Sequence, residues 1–157
     1  MFRRGGLLSV VLLSALLFAA CGNGPDKATE ESSASAGLSI DAKVLTGEPT
    51  FIDVDQDGTA MQVIALKDDT DRVRLAFNTC QSCGGSPYAW FEDLGNGTLQ
   101  CQNCRQTFPL RSVGAENAQG CNPVTITEFT VEDDIVTIPE SLLKANRERF
   151  TNWKKFS

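Results

Sequence analysis

The sequence predicts a mainly β fold: a small antiparallel, hairpin-rich domain with zinc-ribbon-like cysteine turns and a short C-terminal helix. Three observations predict it. Two C-x-x-C turns, Cys80–Cys83 and Cys101–Cys104, are spaced C-x2-C-x17-C-x2-C, within the range of four-cysteine metal sites. From Val44 onward, short apolar segments alternate with clusters of turn residues, the pattern of strands joined by tight turns. Near the end, Glu140 to Trp153 has apolar residues at helical spacing. At 157 residues, 41% of them apolar, the chain can hold one domain with one modest core, plus accessory segments.

Residues 1–20 read as a lipoprotein signal peptide. Arg3 and Arg4 open it, and the apolar run from Leu7 to Ala20 is short for a membrane span. Leu17-Phe18-Ala19-Ala20-Cys21 resembles the lipobox of bacterial lipoproteins, which implies cleavage before Cys21 and lipidation of Cys21. An ordinary secretory signal with a chance cysteine is the competing reading. Residues 21–43 read as a flexible tether. Gly22 to Gly37 is rich in Ser, Ala, Glu and Gly, and buries too little to offset its ordering entropy. Residues 44–157 are then the cysteine-bound metal domain.

Within that domain, Thr50–Val54 reads as a strand, Asp57-Gly58 as a turn, Thr59–Lys67 as a second strand and Arg72–Asn78 as a third. The third strand delivers the chain to Cys80. Tyr88–Phe91 reads as extended, and the Asn-Gly turn within Leu94–Thr98 makes a hairpin that carries Cys101 back toward Cys80. Val124–Val131 and Ile135–Ile138 alternate apolar and polar residues around Glu132-Asp133-Asp134, a further hairpin. Pro139 suits the first position of a helix. Leu142, Leu143, Ala145, Phe150 and Trp153 give that helix an apolar face, and Lys144, Arg147 and Arg149 lie toward its end, where the dipole favours cations.

Charge and residue content exclude several functions. The net charge is −6, which argues against a nucleic-acid partner, and losing Arg3 and Arg4 with the signal makes the remainder more acidic. Attachment to a membrane would then come from acyl chains rather than from charge. The chain has no histidine, so His-ligated zinc or haem and any histidine-assisted nucleophile are absent. No nucleophile–base pair or substrate pocket can be named, and the protein reads as no independent enzyme.

The cysteines admit more than one reading. An oxidising compartment favours disulfides. Closing one C-x-x-C loop contributes about 2 kcal/mol, and cross-linking the two turns about 3 kcal/mol. A structural zinc site contributes about 10–16 kcal/mol apparent at neutral pH, so metal at Cys80, Cys83, Cys101 and Cys104 is the better stabiliser if it arrives before oxidation. A redox-active C-x-x-C lacks its usual βαβ setting. Cys121 is either a further ligand or a small buried thiol. Elsewhere, Asp53-Val54-Asp55-Gln56-Asp57-Gly58 matches the start of an EF-hand loop, but Ile64 stands where the bidentate Glu is required. It reads as an acidic hairpin turn. Tyr88, Trp90 and Phe91 could shield a metal centre or fill a core strand, and Arg74, Arg105 and Arg111 could offset thiolate charge or be solvated.

Three ordered motifs resemble a known family. Arg74-Leu75-Ala76-Phe77-Asn78-Thr79-Cys80-Gln81-Ser82-Cys83, Cys101-Gln102-Asn103-Cys104-Arg105-Gln106-Thr107-Phe108 and Gly120-Cys121-Asn122-Pro123 are similar to runs shared by the FtrD-like membrane iron–sulfur proteins. The resemblance spans about Met61 to Val124. It implies an extracytoplasmic, membrane-anchored domain with iron or an iron–sulfur cluster at Cys80, Cys83, Cys101, Cys104 and Cys121, acting in electron transfer or iron uptake beside membrane iron-transport or electron-transfer proteins. The alternative is a structural zinc-ribbon module serving as a protein-binding or scaffold lipoprotein. Two departures stand out. Arg105 occupies a position where the family often has Gly, which predicts a non-glycine left-handed residue in the second turn. The sequence also shows no membrane-spanning segments, which many relatives have.

Overall fold

The computed structural model describes residues 37–115 and 120–156. The expected signal peptide, Cys21 and most of the expected tether lie outside the described residues. In chain order the strands are β1 (Leu38–Asp41), β2 (Thr50–Gln56), β3 (Thr59–Lys67), β4 (Val73–Cys80), β5 (Phe91–Asp93), β6 (Thr98–Cys101), β7 (Thr107–Pro109), β8 (Pro123–Ile126), β9 (Thr130–Glu132) and β10 (Ile135–Ile138), followed by the helix α1 (Glu140–Asn146). They form three antiparallel sheets, ordered β2-β3-β4-β8, β1-β10-β9 and β5-β6-β7.

The four-stranded sheet is the middle layer. Its strands β3 and β4 are buried on both faces, Met61 to Leu66 and Leu75 to Cys80 without a break. Because side chains alternate along a strand, each strand feeds two cores. Met61, Val63, Ala65, Leu75 and Phe77 face one, shared with Ile40, Val136, Ile138, Leu143 and Phe150 from the β1-β10-β9 sheet and the C-terminal helical segment. Ile64, Leu66, Ala76 and Cys80 face the other, shared with Phe91, Leu99 and Cys101 from the β5-β6-β7 sheet. The predicted single core is therefore two cores back to back.

Turn chemistry sets the register. Asp57 and Gly58 both have positive φ, 51° and 78°, and so do Asp133 and Asp134, 49° and 65°, as the two-residue turns that match strand twist require. The EF-hand-like run is thereby accounted for as a hairpin: the Asp55 carboxylate accepts from Gly58 N–H at 2.9 Å, Gln62 Nε2 donates to Asp53, and Asp57 pairs with Arg147.

Three expectations need correction. Val124–Val131 is not one strand. It divides into β8, paired with β4, and β9, paired with β10, because the alternating pattern says which residues are inside but not which sheet they join. The helix over Glu140–Trp153 is α-helical only to Asn146 and continues as a 3-10 turn, Arg147–Phe150, with Pro139 at the cap rather than inside. Strand structure also starts within the segment expected as tether: Leu38–Asp41 pairs with β10 from Leu38↔Ile138 to Asp41↔Ile135. Strands β1 and β7 are short, and their pairing partners give them their shape.

One buried side chain fastens the β5-β6-β7 sheet to the middle layer. The Asn78 amide, fully buried on β4, accepts from Phe91 N–H at 2.7 Å, donates to Phe91 O at 3.1 Å and donates to Gln62 Oε1 at 2.7 Å. It satisfies Phe91 as a neighbouring strand would. Asn78→Ala leaves three buried polar groups unpaired, and each such group costs about 1–3 kcal/mol. Thermal or denaturant unfolding should show a loss of several kcal/mol, with the β5-β6-β7 amides losing hydrogen-exchange protection first. Protection that falls equally everywhere would refute this role.

Candidate metal centre

Cys80 ends β4, where the pairing with β8 shifts register between Phe77 and Cys80. The chain then turns through Gln81–Gly85, and Cys83 O accepts from Ser86 N–H at 3.0 Å. Cys101 ends β6, and the second turn closes with Arg105 N–H donating to Cys101 O at 2.9 Å. Arg105 has φ 63°, so the expected left-handed non-glycine residue is present. Its guanidinium donates to Gln102 Oε1, which anchors the turn from outside.

The polar residues between the cysteines hold the segments in register. Ser86 Oγ donates to Asn103 Oδ1 at 2.7 Å and Gln102 N–H to Trp90 O at 2.8 Å, tying the first turn to the second. Gln81 N–H donates to Asn122 O at 2.9 Å, Asn122 Nδ2 to Gln81 Oε1 at 3.1 Å, and Ser82 Oγ to Gly120 O at 2.6 Å. These three bonds carry Cys121 onto the first turn. Sequence reasoning passed over Gln81, Ser82, Asn103 and Asn122. The signal available was their position inside or beside every cysteine turn.

All five predicted sulfurs converge. Those of Cys80, Cys83, Cys101, Cys104 and Cys121 lie within 4.8 Å of one another, with Cys80 and Cys101 buried and the other three half-buried. The Cys80 and Cys121 sulfurs are 3.2 Å apart. Cys104 and Cys121 are placed as a disulfide, their sulfurs in direct contact, yet their Cα atoms stand 7.9 Å apart. Ordinary disulfides span about 4.4–6.8 Å between Cα atoms, so this pair reads as two sulfurs aimed at a common centre. Four sulfurs at about 2.3 Å from one ion lie roughly 3.8 Å apart along each tetrahedral edge. The cluster has that compactness and one sulfur more than a tetrahedron uses.

The surroundings oppose charge on the sulfurs. Burial pushes the Cys80 thiol up to about 12, and Cys101 adds to the shift, although backbone N–H groups of Cys83 and Ser82 favour the anion. A cation held here would displace the Cys80 proton, and its charge would then favour the thiolate. Phe91, Leu99 and Leu110 pack with the two buried cysteines, and Phe108 lies against them with its ring 6.4 Å from that of Phe91. Of the three aromatics considered, Phe91 is the core residue, whereas Tyr88 is half-exposed. Arg74 pairs with Asp68 at 2.8 Å. Asp68 also accepts from the Thr70 hydroxyl, which holds its carboxyl well below the usual range.

A family model described as "Membrane iron-sulfur containing protein FtrD-like" matches residues 44–150. No curated protein and no solved structure matches the chain. The family description implies iron and sulfur, and the donor set fits it: five cysteine sulfurs from three segments, walled on one side by apolar residues. Cys80, Cys83, Cys101 and Cys104, with Cys121 beside them, could hold the metal.

Single Ser variants at Cys80, Cys83, Cys101 and Cys104 should each lose most bound metal and a similar share of thermal stability, because one ion couples them. Cys121→Ser should retain more metal than any of the four. Full metal in Cys101→Ser, measured by elemental analysis, would exclude a site shared by the two turns.

Proposed function

Because the chain belongs to the family of FtrD-like membrane iron-sulfur containing proteins, we propose that it is a membrane-anchored, extracytoplasmic metalloprotein acting in electron transfer or iron uptake. The observation that carries this reading is the convergence of five sulfurs within 4.8 Å. Iron held by cysteine sulfur supplies one-electron chemistry, with a potential set by charge, hydrogen bonds to sulfur and exposure. The chain's residues divide that task. Cys80 and Cys101 bind from the buried side, and Phe91 and Leu99 exclude water there. Cys83, Cys104 and Cys121 lie at the half-exposed edge, the side a partner reaches. In this reading the protein is a component of a larger system rather than an independent enzyme. Cys21 supplies the lipid anchor, membrane iron-transport or electron-transfer proteins are the partners, and nucleic acid is not one.

A second reading has its own support. The sulfurs come from three chain segments, and two of them belong to the hydrophobic core around Phe91, so the metal also has a structural task. Zinc would perform that task without redox chemistry, leaving a scaffold lipoprotein.

Anaerobic purification from native membranes separates the two. Iron with inorganic sulfide, or iron alone, and a visible band that changes with dithionite are the expected result. One zinc per chain and no visible absorption would establish the scaffold reading instead. Cys21→Ser should move the protein from the membrane fraction to the soluble extracytoplasmic fraction. Unchanged membrane retention after detergent-free washing in high salt would eliminate the lipid anchor.

A further inference from the structure

Four aromatic rings form a continuous ladder beside the first cysteine turn. Tyr88 and Trp90 have ring centroids 5.7 Å apart, Trp90 and Trp153 5.9 Å, and Trp153 and Phe156 5.8 Å. The ladder is rooted in the core, because Trp153 also packs on buried Phe150 at 4.8 Å. Its ends are open: Tyr88 is 51% and Phe156 50% exposed. The Lys155 ammonium lies 5.9 Å from the Trp90 ring centroid and 6.0 Å from that of Phe156. The segment bearing Trp153 and Phe156 is bonded along the loop that follows Cys83. Asn152 Nδ2 donates to Gly85 O at 3.2 Å and Lys154 N–H to Pro87 O at 2.9 Å, while the Arg149 guanidinium lies against Gly84.

The composition of this surface is selective. The chain has two tryptophans and one tyrosine, and all three are here. Amphipathic rings flanked by cations with long aliphatic stems make up the belt that proteins place at a bilayer's headgroup level. Both signs of charge meet at this surface. The chain is −6 overall, yet Arg149 and Lys155 stand at the ladder. Acidic groups face it too: Glu92 accepts from Trp90 Nε1 at 3.4 Å, and Asp53 and Asp55 line the depression beyond Phe156. Arg149 stands by the cysteine turn, Lys155 lies between Trp90 and Phe156, and the two aspartates adjoin the Phe156 end, which gives the patch a direction.

We propose that the aromatic ladder is a bilayer-interface contact, seating Tyr88, Trp90 and Phe156 among the headgroups of an anionic membrane with Arg149 and Lys155 on the phosphates. The proposal rests on the membrane reading above and adds an orientation to it. The family is described as membrane proteins, and among the described residues no helix is long and apolar enough to cross a membrane. A peripheral contact is what this surface can supply. The aspartates tilt the domain away from the phosphates on the far side of Phe156. The Cys83 edge of the sulfur cluster is thereby brought toward the membrane plane, within reach of a membrane-embedded exchange partner.

Because both tryptophans lie in the ladder, intrinsic fluorescence reports on it alone. The mature chain carrying Cys21→Ser, and so unlipidated, is titrated with phosphatidylcholine vesicles with and without phosphatidylglycerol. The expected result is blue-shifted emission with the anionic vesicles, quenched by lipids brominated along the acyl chain and weakened by salt. Each cation engaged strengthens binding roughly fivefold. Tyr88→Ser with Phe156→Ser, both at exposed positions, should weaken vesicle binding at least about tenfold while leaving metal content unchanged. Unshifted emission of the Cys21→Ser chain with both vesicle types, or undiminished binding by the double variant, would overturn the proposal and leave the surface to a protein partner. Lipid anchoring is judged separately, by incorporation of labelled fatty acid into the wild-type chain but not into Cys21→Ser.

Discussion

The Asn78 side chain is the constraint on which the cysteine centre depends. A carboxamide has one acceptor and two donor hydrogens, which suffice for both backbone groups of Phe91 and for Gln62 Oε1. The three-stranded sheet that delivers Cys101 and Cys104 shares no strand ladder with the middle sheet. Asn78 supplies the missing rung, two residues before Cys80. An apolar residue of similar size could fill the space but could not satisfy Phe91. A buried polar group is specific in this way because leaving it half-bonded is so costly.

Around that link the middle sheet serves two environments. One face packs an ordinary aliphatic core against α1 and the β1-β10-β9 sheet. The other ends in sulfur. The same strands therefore transmit the rigidity of the first core to the second. The site needs this, since burial acts against charged Cys80, and only a framework that resists collapse or opening can hold several thiol groups ready for a cation.

Much of this was legible in the chain, and the parts that were not share a cause. Thr59–Lys67 was read as the strand it is, and Asp57-Gly58 as its turn, because local chemistry alone determines them. Arg105 is expected to be left-handed only because the related family often has Gly there, and it is. The five sulfurs are all named in advance, four from spacing and Cys121 from the odd cysteine count together with the family resemblance. Sequence could not say that Pro123–Ile126 and Thr130–Glu132 part company into different sheets, since periodicity carries no address. Nor could it show that Gln81, Ser82, Asn103 and Asn122 lash the turns together, because a polar residue in a turn looks the same whether it faces water or another loop.

The route by which Cys121 reaches the cluster orders the steps of assembly. The two C-x-x-C turns lie on one continuous stretch of chain, joined by the β5–β6 hairpin, so they can meet early through short-range encounters. Cys121 sits 41 positions beyond Cys80 in the chain, and loops close more slowly as the separation in sequence grows. It arrives when β8 zips against β4, with Cys80 opposite Pro123 in the register. An ion captured by the first four sulfurs would thus be met by the fifth only after the middle sheet is complete. The fifth thiol acts as a latch, closing on a chain that has already finished folding.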